Sequence, residues 1–183
     1  MEKKLKVAVL YENWGEEEEP AEPVKKKRTK SKKRKRREKH DREEIFEALE
    51  SLGHEPLYYV LDGDEKTLMA LSKCDADLFF NIVESYAGDD NKEMHVAAYL
   101  ELLGKLYTGA DPQAMYVAQD KGLAKKIFGF HEIRTPDFAT CYRGELDHCQ
   151  DIGFPLIVKP VSEDGSIGID KDSVVKTVKE LME

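Results

Sequence analysis

The chain has 183 residues, enough for one substantial core or for a small domain and part of another. Its formal charge of −8 hides a split: residues 25–42 carry thirteen Lys and Arg against two acids, a local +11, which leaves −19 elsewhere. An acidic body excludes nucleic-acid affinity outside that one segment, and no apolar run is long enough for a membrane span or a signal peptide.

Residues 6–11, KVAVLY, are β-branched and apolar, which fits a buried parallel strand better than an alternating, half-exposed one. Two charge blocks of opposite sign follow, GEEEEPAEP at 15–23 and KKKRTKSKKRKRREK at 25–39. Neither has an apolar face, so burial cannot offset the entropy of ordering them, and an extended or mobile insertion is expected at about 14–40. By composition the basic block resembles a nuclear-localisation tract. No aromatic interleaves it to stack a base, so two readings stand: weak polyanion contact through 25–42, or a solvated insertion.

Asp41 reads as a helix cap, with Glu44 completing a capping box, Ile45, Phe46, Leu49 and Leu52 forming the buried face, and Gly53 ending the helix. Residues 57–61 read as the second strand, Asp64 as the cap of a short helix holding Leu68, Met69 and Leu71, and 78–83 as the third strand. This alternation predicts an α/β fold, an open parallel sheet with flanking helices. Ligands meet such sheets at the carboxyl ends of the strands. That rule singles out Asn81, Glu84 and Ser85, with Asp89 in the same loop, while His95 lies inside the next helix and reads as a surface residue. Val96, Leu100 and Leu103 give that helix its core face before Gly104 ends it.

Residues 106–109 predict a short strand and turn, and Asp111 with Pro112 a strong helix start. Beyond about 115 a smaller α+β unit is expected, with a strand at 135–142, a short helix at 145–149 packing Leu146, a strand at 155–159 and a helix at 176–182. Lys159 closes the apolar run FPLIVK, and a lysine buried there requires an anion. Gly165, Ser166 and Gly168 follow, with positive-φ positions, a hydroxyl and successive amides suited to phosphate oxygens. The alternative is a solvent-facing turn whose lysine snorkels. Lys121, in the first turn of its helix, reads by itself as a solubility residue. Cys74, Cys141 and Cys149 form an odd set without CxxC spacing; they predict buried or half-buried thiols in a reducing, cytoplasmic compartment.

Five blocks in order, LFFNIVES at 78–85, YLELLGKLYTGADP at 99–112, AQDKGLAKKIF at 118–128, TPDF at 135–138 and FPLIVKPVSEDGSIGI at 154–169, resemble the D-alanine:D-alanine ligase branch of the ATP-grasp enzymes. The resemblance implies a pre-ATP-grasp α/β domain over 1–115, with the charged insertion inside it, and the first, incomplete part of an ATP-grasp domain over 116–183. It implies ATP and Mg2+ as cofactors and an amino-acid substrate: a carboxylate attacks the γ-phosphoryl group and an amine then displaces phosphate. Lys121 and Lys159 match lysines that reach the nucleotide phosphates from opposite sides. Gly165, Ser166 and Gly168 match a loop that closes over the leaving group, although the family carries two small polar residues there and this loop keeps one hydroxyl. Glu12, Glu84 and Asp89 fall on the substrate side, and Glu12 also reads as an exposed loop acid.

The family takes its metal ligands from the later part of the grasp domain. Asp172, Glu180 and Glu183 do not form that motif, so no metal ligand and no complete catalytic set are assigned. The expectation is the front part of a ligase, inactive in isolation, with a homodimer compatible. Two alternatives stand beside it: a non-catalytic α/β binding module, and a basic-arm module contacting nucleic acid or another polyanion.

Overall fold

The computed structural model describes residues 3–13, 39–163 and 165–182. The readings placed on 14–38, which cover the charged insertion and most of the basic block, lie outside the described residues. The chain divides into two compact units, Met1–Asp89 with Tyr99–Gly109, and Asp90–Ala98 with Ala110–Glu183.

The first unit alternates β1 (Lys6–Glu12), α1 (Asp41–Ser51), β2 (Glu55–Leu61), α2 (Glu65–Ala70) and β3 (Leu78–Asn81). The three strands are parallel in the order β2-β1-β3. β1 runs beside β2 from Lys6–Glu55 to Glu12–Leu61 and beside β3 from Val7–Leu78 to Leu10–Asn81. Having neighbours on both edges and cover on both faces, it buries four consecutive residues, Val7, Ala8, Val9 and Leu10, to 1% exposure or less. Val7 and Val9 pack with Leu49 of α1, flanked by Ile45, Phe46, Phe80 and Ile82. Ala8 and Leu10 alternate to the opposite face. Beyond β3 the sheet continues, among the described residues, as a parallel bridge between Phe79 and Tyr107, and the strand expected at 106–109 is reduced to two backbone bonds of 2.8 and 3.0 Å.

The caps show where local chemistry suffices and where it slips by a residue. His40, not Asp41, occupies the N-cap of α1, and its amide donates to Glu43 Oε2 at 3.1 Å, so the acid that answers the cap is Glu43 and not Glu44. Leu52 falls just past the helix and is exposed, leaving the buried face to the residues before it. Asp64 caps α2 as read, accepting from the Lys66 amide at 2.8 Å. α3 (Glu93–Leu102) is shared between the two units and buries Val96, Ala97 and Leu100.

The second unit opens with α4 (Pro112–Gln119) and α5 (Lys121–Phe130). Asp111 accepts from the Ala114 amide and Asp120 from the Leu123 amide, each at 2.8 Å, so an aspartate starts both helices. β4 (Ala139–Tyr142) and β5 (Glu145–Cys149) then form an antiparallel hairpin. The helix expected at 145–149 is therefore a strand, and Leu146, expected to be packed, is 61% exposed. The reason is the turn: Arg143 (φ 50) and Gly144 (φ 81) are both left-handed, which defines the two-residue connection that matches strand twist. β6 (Leu156–Ile157) and β7 (Val174–Val175) pair over two residues each, shorter than the strand expected at 155–159, and α6 (Val178–Met182) ends the described chain.

Candidate functional site

In the first unit the carboxyl ends of β1 and β3 bring candidate residues together. Glu12 ends β1, and its Oε1 accepts the backbone amide of Glu84 at 3.1 Å. A residue read as a substrate contact or a loop acid thus also anchors the segment that follows β3. Asn81 holds the same segment from inside: its Oδ1 accepts the Val83 amide at 3.3 Å, and its amide donates to Thr108 Oγ1 at 3.0 Å. Ser85 is buried, whereas the Glu84 side chain is exposed. Tyr86 and Asp89 exchange two backbone hydrogen bonds of 3.2 Å around Ala87 (φ 53) and Gly88 (φ 73), a tight turn that leaves Asp89 half-buried.

In the second unit, residues 40 positions apart meet. Lys121 is the first residue of α5, and both its amide and its ammonium bond to the Val161 carbonyl, at 3.2 and 3.4 Å. The ammonium also donates to the Glu163 carbonyl. The glycine-containing turn lies just beyond, with Gly165 (φ 59), Ser166 (φ 64) and Gly168 (φ 71) all left-handed. The Ile169 amide closes the turn on the Ser166 carbonyl at 3.1 Å. A Cβ on Gly168 would stand 3.2 Å from Pro160 Cγ, so the chain returns against the residue that follows Lys159. Ser166 adopts a conformation that a side-chain-bearing residue takes up only when its surroundings impose it.

Lys159 departs from expectation. The segment after β6 is not buried, and Lys159 is exposed, without a hydrogen bond or ion pair among the described residues. Exposed as it is, the Lys159 ammonium keeps its hydration and requires no anion to answer it. What remains is an accessible ammonium one residue before Pro160.

Two features were missed by sequence reasoning. Gly122 is buried, and a Cβ there would stand 2.8 Å from Thr140 Cγ2 and 3.2 Å from Asp120 Oδ1, so the start of α5 lies directly on β4. The signal available was an Asp immediately before a helical run, the cap signature. The second is a polar cluster across the hairpin, where Asp147 Oδ2 accepts from Lys126 Nζ at 2.8 Å and from Thr140 Oγ1 at 3.1 Å. The Lys126 ammonium, then the Thr140 hydroxyl, hold the Asp147 carboxyl below its ordinary range. Cys141 and Cys149 are exposed, not buried, because they sit on this two-stranded hairpin; Cys74 is half-buried and all three thiols are free.

Among the described residues no group of three His, Cys, Asp or Glu is arranged to hold a metal ion, and no helix is long and apolar enough to cross a membrane.

No family model matches the chain. It is 34% identical over 140 residues to a D-alanine–D-alanine ligase of Aquifex aeolicus, covering 76% of this chain and 45% of that protein. It is 33% identical over 138 residues to a D-alanine–D-alanine ligase of Bordetella petrii, covering 74% and 41%. Among solved structures, the crystal structure of D-alanine–D-alanine ligase from Bacillus anthracis complexed with ATP matches with a TM-score of 0.58 at 20% identity, covering 99% of this chain and 51% of that one. The chain thus spans less than half the length of these curated relatives.

Proposed function

The chain belongs to the D-alanine–D-alanine ligase-like branch of the ATP-grasp family, and from that membership we propose that it forms the N-terminal part of an ATP-dependent carboxylate–amine ligase. The observation that supports the reading most is the meeting of Lys121 with the carbonyls of Val161 and Glu163, at the base of the Gly165–Gly168 turn. ATP, when bound, supplies the phosphoryl group that activates a carboxylate. The residues of this chain bind and orient it. Amides of the turn and the Ser166 hydroxyl are donors for phosphate oxygens, and the exposed Lys159 ammonium adds charge. In the other unit, Glu12, Glu84 and Asp89 are assigned to the ammonium side of an amino acid, with D-alanine the substrate class. Among the described residues no group of three His, Cys, Asp or Glu could hold a metal ion, and no step is assigned to Mg2+.

These residues align an anion but do not neutralise a transferring phosphoryl group, and nucleotide binding without turnover is expected of the isolated chain. The test is titration calorimetry with ATP, paired with an assay of phosphate and dipeptide release in the presence of D-alanine and magnesium. Weak ATP binding, reduced about tenfold or more in Lys159→Ala with the far-ultraviolet spectrum unchanged, supports the reading; a charge-assisted contact is worth roughly 1.5–3 kcal/mol. D-alanine-dependent phosphate release at a ligase's rate, abolished by the same substitution, contradicts the expected lack of turnover. ATP binding that Lys159→Ala leaves untouched contradicts the phosphate assignment.

A further inference from the structure

The side chain of Lys121 is engaged with protein, and that engagement has a direction. Its backbone amide is one of the donors at the start of α5 with no partner inside the helix, and the Val161 carbonyl satisfies it at 3.2 Å. This main-chain bond fixes where 161 meets the helix whatever side chain stands at 121. The ammonium also contacts the same Val161 carbonyl, at 3.4 Å, and the carbonyl of Glu163. Glu163 is the last described residue before the left-handed turn at Gly165 and Ser166. The helix therefore holds 161 by its backbone, and it holds 163 by the lysine side chain.

We infer that Lys121 is a positioning residue for the Gly165–Gly168 turn, holding it by the Glu163 carbonyl before any anion is bound. The inference rests on reading that turn as phosphate-binding only for its functional meaning; the hold itself is a property of the ligand-free chain. Three consequences follow from the chemistry. An ammonium has three donors and no acceptor, so a phosphate oxygen arriving at Lys121 competes with carbonyls for the same protons. A phosphate oxygen that takes the proton now shared with the Glu163 carbonyl releases that carbonyl, and anion binding through that proton is coupled to the freedom of the turn. Among the described residues the turn is also restrained by the Ile169 amide bond to Ser166, which lies within it, and by Gly168 closing against Pro160. Gly165 and Gly168 hold positive φ without strain, so it is Ser166, with its side chain, that favours leaving that conformation once the hold is released.

The experiment is amide hydrogen exchange by NMR on the whole chain, without nucleotide and with ATP. The reporter is the Ile169 amide, bonded inside the turn. The internal control is the Val158 amide, which donates to the Ser173 carbonyl at 2.8 Å beside the β6–β7 pair. Lys121→Met keeps the apolar stem and removes the ammonium. It is expected to speed Ile169 exchange about tenfold while Val158 changes by less than about twofold, since local opening reports local contacts. Lys121→Arg, whose guanidinium can also donate to carbonyls, is expected to restore most of the protection. That rescue distinguishes a hold through the cation from a role of the stem in packing.

Unchanged Ile169 exchange in Lys121→Met overturns the inference, as does equal acceleration in the methionine and arginine variants. If the methionine variant also loses protection at Val158, the arginine variant decides alone: wild-type exchange at Ile169 supports the hold, and accelerated exchange with Val158 intact overturns it. Failure of the nucleotide reading has a separate signature. ATP at millimolar concentration would then leave wild-type Ile169 exchange unaltered, while the Lys121→Met effect in its absence persists and still supports the hold.

Discussion

Replacing Gly122 with alanine tests the packing at the start of α5. The added Cβ would stand 2.8 Å from Thr140 Cγ2, about 0.7 Å inside the closest comfortable carbon–carbon separation. Thr140 cannot turn its methyl away freely, because its hydroxyl is committed to Asp147 at 3.1 Å. Overpacking of this kind costs about 1–3 kcal/mol, against a gain of about 1 kcal/mol from replacing glycine in a helix. The net expectation is a loss of about 1 kcal/mol. Thr140→Ser removes the offending methyl and keeps the hydroxyl, so the double variant should recover about 1 kcal/mol or more relative to Gly122→Ala. The four proteins form a double-mutant cycle, read from native-state exchange of the β4 and β5 amides, because two compact units need not unfold as one. A Gly122→Ala protein more stable than wild type, or additive effects of the two changes, would refute the steric argument.

Gly168→Ala places a side chain at φ +71 and 3.2 Å from Pro160 Cγ, which should cost about 1–2 kcal/mol locally and raise exchange at Ile169, with the β4–β5 amides unaffected. Glu12→Ala removes the acceptor of the Glu84 amide, whose exchange should rise about tenfold; Glu12→Gln keeps an acceptor oxygen and should restore most of the protection. Asp147 has a lowered folded-state pKa, so its stabilising contribution is complete above the unfolded carboxylate value of about 3.9 and is lost as pH falls through the lower folded value. Asp147→Asn should therefore flatten the pH dependence of stability below about pH 4, as followed by denaturation at stepped pH, and leave the neutral slope unchanged.

The parallel sheet was legible because β1 occupies its centre: a strand covered on both faces must be apolar through its buried positions, and VAVL at 7–10 is. The caps at Asp64 and Asp111 were legible because a carboxylate accepting a free amide is chemistry within four residues. The second unit resisted for the opposite reason. Its strands are two to five residues long and mostly exposed, so neither burial nor alternation marks them, and β5 was read as a helix although Arg143-Gly144 carried the turn signal. For the site, Gly165 and Gly168 announced the turn by composition. The contact of Lys121 with carbonyls 40 residues away has no sequence signature, since every residue has a carbonyl; only the resemblance of AQDKGLAK to a family block pointed there. Lys159 was placed correctly at the end of an apolar run, yet the run is not buried.

The start of α5 gathers its constraints into three consecutive residues, and their order explains a residue that is otherwise misplaced. A cation in the first turn of a helix faces the positive end of the macrodipole, at a cost of about 0.3–1 kcal/mol. Asp120 reduces that cost by capping the Leu123 amide with a carboxylate immediately before Lys121. The lysine then donates to the Val161 and Glu163 carbonyls, and hydrogen bonds from a charged donor contribute roughly 1.5–3 kcal/mol each, enough to outweigh the dipole. Gly122 admits the Thr140 methyl, so that β4 fixes the height at which the helix begins. Moving the helix start would shift all three contacts at once. The position of the lysine relative to the glycine turn is therefore set by packing against the hairpin, and a change at Gly122 or Thr140, neither of which belongs to the turn, should appear as altered exchange at Ile169.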